Sequence, residues 1–180
     1  MARSAAMNPD FCQRMLEAYA ISDRMNQMVL ERVEPQAWRA KPPSGGARNI
    51  AAIFAHMHNI RRKWLRLSAP SFKLPPQLDR SRCTQKQAGA ALKESARLCG
   101  EMLAQALHPA GAVKQFRRDG WARAWRPGPA MFAYMILHDA HHRGQICMLA
   151  HQLGYPIKAG YELWMWEKLS QQCGFHLLSR

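Results

Sequence analysis

The chain has 180 residues and 48% of them are apolar, enough for a packed core and too many for a disordered tail. Lys and Arg number 26 against 12 Asp and Glu, a formal net charge of +14 that permits polyanions or acidic ligands without requiring either. Five scattered cysteines with no C-x-x-C pair argue against a disulfide framework and against a thiolate zinc site. The opening "MARSAAMNPDFCQRM" has no apolar signal core, and the longest apolar run, Met131 to Leu137, is far too short to span a bilayer. The chain therefore reads as a soluble, cytoplasmic protein with no membrane partner, folded as one domain over residues 1–180.

Helix signals dominate, and no period-2 alternation lasts long enough for a sheet. "NPD" opens the first predicted helix, with Asn8 as N-cap, Pro9 at the first helical position and Asp10 in the first turn. Its apolar line runs through Phe11, Met15, Tyr19 and Met25 to Val29, and Pro35 follows its end. After the loop "KPPSGGARN", a second helix continues to about Leu67 on Ile50, Ile53, Phe54, Met57, Ile60 and Trp64. A long Pro-interrupted connection leads to a capping box at Thr84 and Gln87, which opens the third helix. That helix stops near His108-Pro109. A basic, aromatic stretch follows, "VKQFRRDGWARAWRPGP". The fourth helix runs from about Pro129 to His151, ended by Gly154 and Pro156, and a short helix covers Tyr161 to Cys173. Four long amphipathic helices and one short C-terminal helix predict an all-α four-helix bundle. The long loops leave its up/down order open.

The fourth helix contains "HDAHHRGQ". On a 3-4 spacing, Met131, Met135, His138, His142, Gln145 and Leu149 form one seam that should face the core. Burying two imidazoles and an amide costs free energy unless each finds a partner. His138 and His142 are i and i+4, so their rings project from one face at a spacing that lets both hold one metal. A pair of core histidines hydrogen-bonded to carbonyls or to Gln145 is the alternative. A third ligand should come from another helix. His108 and His176 read as surface residues, His151 lies on the far side of the fourth helix's seam, and His141 lies off the seam. In "FAHMHNIRRKW", His56 shares a line with Ile53 and Ile60, whereas His58 is followed by Arg61 and Arg62, cations that oppose a divalent ion. His56 is therefore the expected third ligand, with His58 as the fallback.

"RNIAAIFAHMHNIRRKWL", followed by "FAYMILHDAHHRGQICMLAHQLGYPI", resembles the DinB/YfiT-like superfamily, and "GYELWMWEKL" resembles the ending of one branch of it. The similarity runs from the first helix to about residue 168. It implies a four-helix bundle in up-down-down-up order, often a homodimer. It also implies a divalent metal, zinc or nickel, held by three histidines, which fall here on His56, His138 and His142. Members with an activity include metal-dependent transferases and isomerases that use low-molecular-weight thiols, and some resemble hydrolases.

Three neutral histidines leave a coordination position open, the pattern of a catalytic site rather than a closed structural one. Water or a thiol of a small-molecule substrate fits that position, and either becomes a better nucleophile there. A general acid or base is harder to name. Asp139 follows a ligand but is turned about 100° from it. Gln145, one turn from His142, is a candidate to hydrogen-bond a ligand ring or the substrate. Gly144 is expected to let a helix or ligand come close, Arg143 to be structural or at the surface, and Asn26 to be a weak candidate for support of the site. The rival function is a basic nucleic-acid-binding module, because "RRKWLR" and "FRRDGWARAWR" interleave cations with Trp64, Trp121 and Trp125. No nucleic-acid motif accompanies them, so specific nucleic-acid binding ranks second. A stress-related or structural metal protein without turnover is the third reading.

Overall fold

The computed structural model describes residues 9–120 and 123–175. In chain order it holds α1 (Pro9–Glu31), the single turn α2 (Pro35–Trp38), α3 (Ile50–Ser68), α4 (Gln85–Leu107), α5 (Pro129–Gln152) and α6 (Trp166–Gln172), with a 3-10 turn over Tyr161–Trp164. Among the described residues there is no strand, only an isolated bridge between Phe116 and Trp125. No helix there is long and apolar enough to cross a membrane.

Local signals start and stop the helices. Asn49 caps α3, its Oδ1 accepting from Ala52 N at 2.9 Å. Thr84 and Gln87 form the predicted capping box of α4, each side chain bonding the other's backbone N–H. Pro129 opens α5. Gly154, at φ 82°, turns the chain out of it while Tyr155 N donates to Ala150 O at 2.9 Å. The predicted cap at Asn8 lies outside the described residues.

α1 and α3 each pack against both α4 and α5, so they sit on opposite corners of the bundle. Side-chain contacts fix the directions. Cys12 Sγ reaches Leu107 O and Gln85 Nε2 reaches Leu30 O, so α1 and α4 are antiparallel. Cys83 meets Ala51 O and Cys99 meets Arg61 O, so α3 and α4 run together. His56 lies beside His142 and Trp64 beside Tyr134, so α3 and α5 are antiparallel. The result is an all-α, up-down-down-up bundle with a short C-terminal helix. That helix packs on α1, where Arg24 Nε donates to Gln172 Oε1 at 2.8 Å.

The core has two main apolar clusters. One gathers Trp38, Phe54, Leu92 and Ile146, the other Trp64, Leu103, Phe116 and Met131. Arg61, on the stretch of α3 between them, is fully buried. Its Nη2 donates to Asp23 Oδ1 of α1 at 2.8 Å and to Asp139 Oδ2 of α5 at 2.5 Å, and its Nη1 to Leu92 O of α4 at 3.1 Å. One side chain thus bonds the three other long helices.

Several expectations are corrected. Pro35 does not merely follow the first helix; it opens α2, whose Trp38 donates Nε1 to Cys83 O at 3.1 Å. The segment from Tyr161 to Cys173 is not one helix but a 3-10 turn and then α6. Phe11 is half exposed rather than core. The Pro-rich connection before α4 lies along the outer side of α3. There Asn59 exchanges two hydrogen bonds with the Leu78 backbone, and Arg62 Nε donates to Pro75 O at 2.6 Å. Without a ladder, that backbone is satisfied by α3 side chains, and α3 is consequently buried on nearly all sides.

Replacing Arg61 by Met keeps most of its volume but removes the cation whose Nη2 donates to both Asp23 and Asp139. Loss of one partner of a buried ion pair costs about 3–5 kcal/mol. Urea unfolding of Arg61→Met should show a loss of that size. A loss within about 1 kcal/mol, the range of exposed pairs, would mean the clamp does not hold the bundle.

Candidate metal centre

α5 faces both α1 and α3, so its buried side is wide. Met131, Met135, Asp139, His142, Ile146, Leu149 and Ala150 are buried on it. The predicted seam is therefore rotated at two positions. Asp139 lies inside, with His138 at the edge of the stripe and 13% of its side chain exposed. Gln145 is exposed, and Ile146 takes the inward place expected for it.

The ring centroids of His138 and His142 are 4.6 Å apart. His56 approaches from antiparallel α3, 4.7 Å from His142 and 5.7 Å from His138. One ring nitrogen from each of the three lies within 4.8 Å of the others. The remaining nitrogens of the α5 pair are anchored. His142 Nδ1 donates to Gln145 Oε1 at 2.7 Å, and His138 Nδ1 to Asp139 Oδ1 at 3.2 Å. Each ring is thereby left with Nε2 as its lone pair, the tautomer a ligand histidine needs. His56 Nδ1 is buried with no hydrogen-bond partner. Three imidazoles gathered this closely, two of them held in the ligand tautomer, fit a divalent ion.

Electrostatics favour neutral rings. Burial pushes His56 down to about 3, helped by Arg48, His142, His138 and Arg80. Burial also lowers His142, against the raising effect of its bond to Gln145. At Asp139 burial pushes the carboxyl up, but Arg61 and the bonds from His138 and Arg61 outweigh it and hold it below the ordinary range. Asn26 Nδ2 donates to Asp139 Oδ2 at 3.3 Å, and Arg143 Nη1 donates to Asn26 Oδ1 at 2.7 Å. A chain of support thus runs from Arg61, Asn26 and Arg143 through Asp139 to His138.

The expectation that Asp139 points away from its neighbouring histidine is corrected: its carboxylate orients that ring. Asp139 and Arg61 are what sequence reasoning missed. The signal was present, because Met131, Met135, Asp139, His142 and Ile146 form as regular a line as the predicted one. Asn26 proves to be one hydrogen bond from that carboxylate, and Arg143 is structural as expected. His58 is buried, but its Nε2 donates to Pro76 O at 2.9 Å. Burial lowers its pKa, and Arg62 and Arg61 add to that, the direction expected of cations beside it, against the raising effect of its bonds to backbone carbonyls. His141 is exposed beside His142. His108 and His151 are exposed, and His176 lies outside the described residues. No helix approaches Gly144, where an added Cβ would meet nothing within 4 Å; Gly144 instead lines a cavity of about 730 Å³ with Arg48 and Met148.

The three histidines border a cleft of about 310 Å³ whose walls include Lys63, Trp64, Arg118 and Tyr134. Arg118 Nη1 donates to Tyr134 Oη at 2.6 Å. The basic aromatic segment packs rather than projects at Phe116, which is fully buried against Trp64. Trp64 is itself fully buried and has no face for a nucleobase. Trp125 is 41% exposed, and Trp121 lies outside the described residues.

The DinB family model matches residues 1–172. The chain belongs to the DinB family. No curated protein and no solved structure matches it. For this DinB-family chain the three-histidine cluster stands on its own geometry.

Folding lowers the pKa of the His56 base, so between its ordinary value of 6.5 and about 3 the folded state binds fewer protons than the unfolded chain. The stability this contributes is present above pH 6.5 and lost as pH falls through that window. In metal-free protein, the His56 ring should show no titration by NMR from pH 8 to about 5. A midpoint near the ordinary histidine value of about 6.5 would contradict the burial argument.

Proposed function

We propose that this protein binds one divalent metal ion, zinc or nickel, through His56, His138 and His142, and that it is a metal-dependent enzyme acting on a small molecule. The observation that carries the reading is the meeting of three imidazoles from α3 and α5 at a cleft, with the outer nitrogens of two of them anchored. A structural site is closed by four protein ligands, whereas three histidines leave a position for a reactant.

When bound, such an ion lowers the pKa of a coordinated water to about 7 or holds a thiol as thiolate. The chain's own residues do the rest. Asp139 and Gln145 fix ring tautomers and orientation. Trp64 and Ile60 exclude water from one wall of the cleft. Lys63 and Arg118 outnumber Asp119 on its walls, and the remaining positive charge favours an anionic reactant or a developing negative charge. This supports hydrolysis or thiol transfer. The resemblance further supports a low-molecular-weight thiol as cosubstrate and a homodimer as the assembled form. The buried state of Trp64 and Phe116 disfavours the nucleic-acid reading.

Metal content of alanine variants tests the assignment. His56→Ala, His138→Ala and His142→Ala should each lose most of the metal, and their Tm should no longer respond to added zinc. His58→Ala and His141→Ala should keep the metal, although His58→Ala loses stability with its bond to Pro76 O. If the three proposed ligand variants keep their metal, the assignment fails. If His58→Ala alone empties the site, the ligand on α3 is misassigned.

A further inference from the structure

Lys63 borders two hollows. One is the cleft at the three histidines. The other is a cavity of about 290 Å³ whose wall also carries Arg62, Arg66 and Arg80. His56, Asn59, Lys63 and Arg66 follow one another along α3 at helical spacing, so one stripe carries the site histidine and then the cationic wall.

The charge in this second cavity is not balanced. Asp119 pairs with Lys63 at 2.7 Å and with Arg66 at 3.2 Å. Arg62 gives its Nε to Pro75 O at 2.6 Å, a neutral acceptor. Arg80 is exposed on the same wall. One carboxylate, paired with two of them, thus stands against four cations gathered around one small volume. Like charges held this close repel unless an anion joins them. Guanidinium groups match the paired oxygens of phosphate, and a dianion suits the surplus better than a monocarboxylate does.

We propose that this cavity is a phosphate subsite of the substrate site. A phosphate monoester group sits among Arg62, Arg66 and Arg80. Lys63 continues the positive wall to the histidine cleft, where the reacting end of the same small molecule lies. The inference deepens the enzyme reading above and rests on it for the second half. A small molecule is favoured over a nucleic-acid strand because no aromatic side chain lines the cavity and single-strand grooves rely on stacking platforms.

The test is calorimetric titration of inorganic phosphate into the full chain as purified, at physiological ionic strength, with acetate as control. The same titration is run on the Arg66→Gln/Arg80→Gln double variant and on His138→Ala. Both replaced arginines are exposed, so the double variant should fold as the parent does. Saturable phosphate binding should be weakened about tenfold or more in the double variant. It should be retained in His138→Ala, and acetate should bind far more weakly. Binding lost in His138→Ala but kept in the double variant would put the phosphate at the histidines and overturn the subsite. Absence of saturable binding would overturn it too. A ten-nucleotide oligothymidylate that binds at the same salt and is not displaced by phosphate would replace it with a strand-binding groove. Metal content measured on the same samples reads the three-histidine assignment separately, so either can fail alone.

Discussion

The Arg61 guanidinium meets Asp23, Asp139 and the Leu92 carbonyl with none of its surface in water. Taking a charge out of water costs several kcal/mol, and the cost is recovered only where partners stand in fixed positions. The three partners come from α1, α5 and α4. The clamp therefore constrains the register of all four long helices at one level of the bundle. A slide of one helix by a turn would separate a charge from its partner in the interior, which apolar packing alone would tolerate more easily.

The same interaction reaches the candidate metal centre. Asp139 stays ionised because the Arg61 charge and the hydrogen bonds from His138 and Arg61 together outweigh its burial. An ionised carboxylate is the acceptor that His138 Nδ1 requires. The ion that holds the core together thus also sets the tautomer of a proposed ligand. Asn26, held by Arg143, supports Asp139 from the α1 side. His142 is arranged differently, by the exposed amide of Gln145 on its own helix. One ring is fixed by the core and the other by the surface, with His56 brought in by α3.

Much of this was legible in the residues. Periodicity gave the four long helices, and the cap at Thr84 and Gln87 fixed one start to the residue. The i, i+4 pair of His138 and His142 and the apolar line through His56 were enough to select the histidines that meet. What escaped was long-range. Asp139 and Arg61 are charged, and a charge on a helix line reads as solvent-facing until its partner is known. Their partners are 78 positions apart in sequence, so no local spacing pairs them. The bond that holds His58 also escaped, because nothing local shows that Pro76 will lie over that face of α3. The same wrapping made α3 buried nearly all round, which no single amphipathic stripe predicts.

The proposed site holds a metal through three imidazoles, with a position left for a reactant. X-ray absorption at the metal edge, on protein purified without a tag or a nickel column, reads that coordination directly. Three imidazole nitrogens at about 2.0–2.1 Å from a divalent ion, with one further, exchangeable oxygen neighbour, are expected. Sulfur neighbours from the cysteines, four protein ligands closing the shell, or protein that carries no metal and takes up none on addition of zinc or nickel would contradict it.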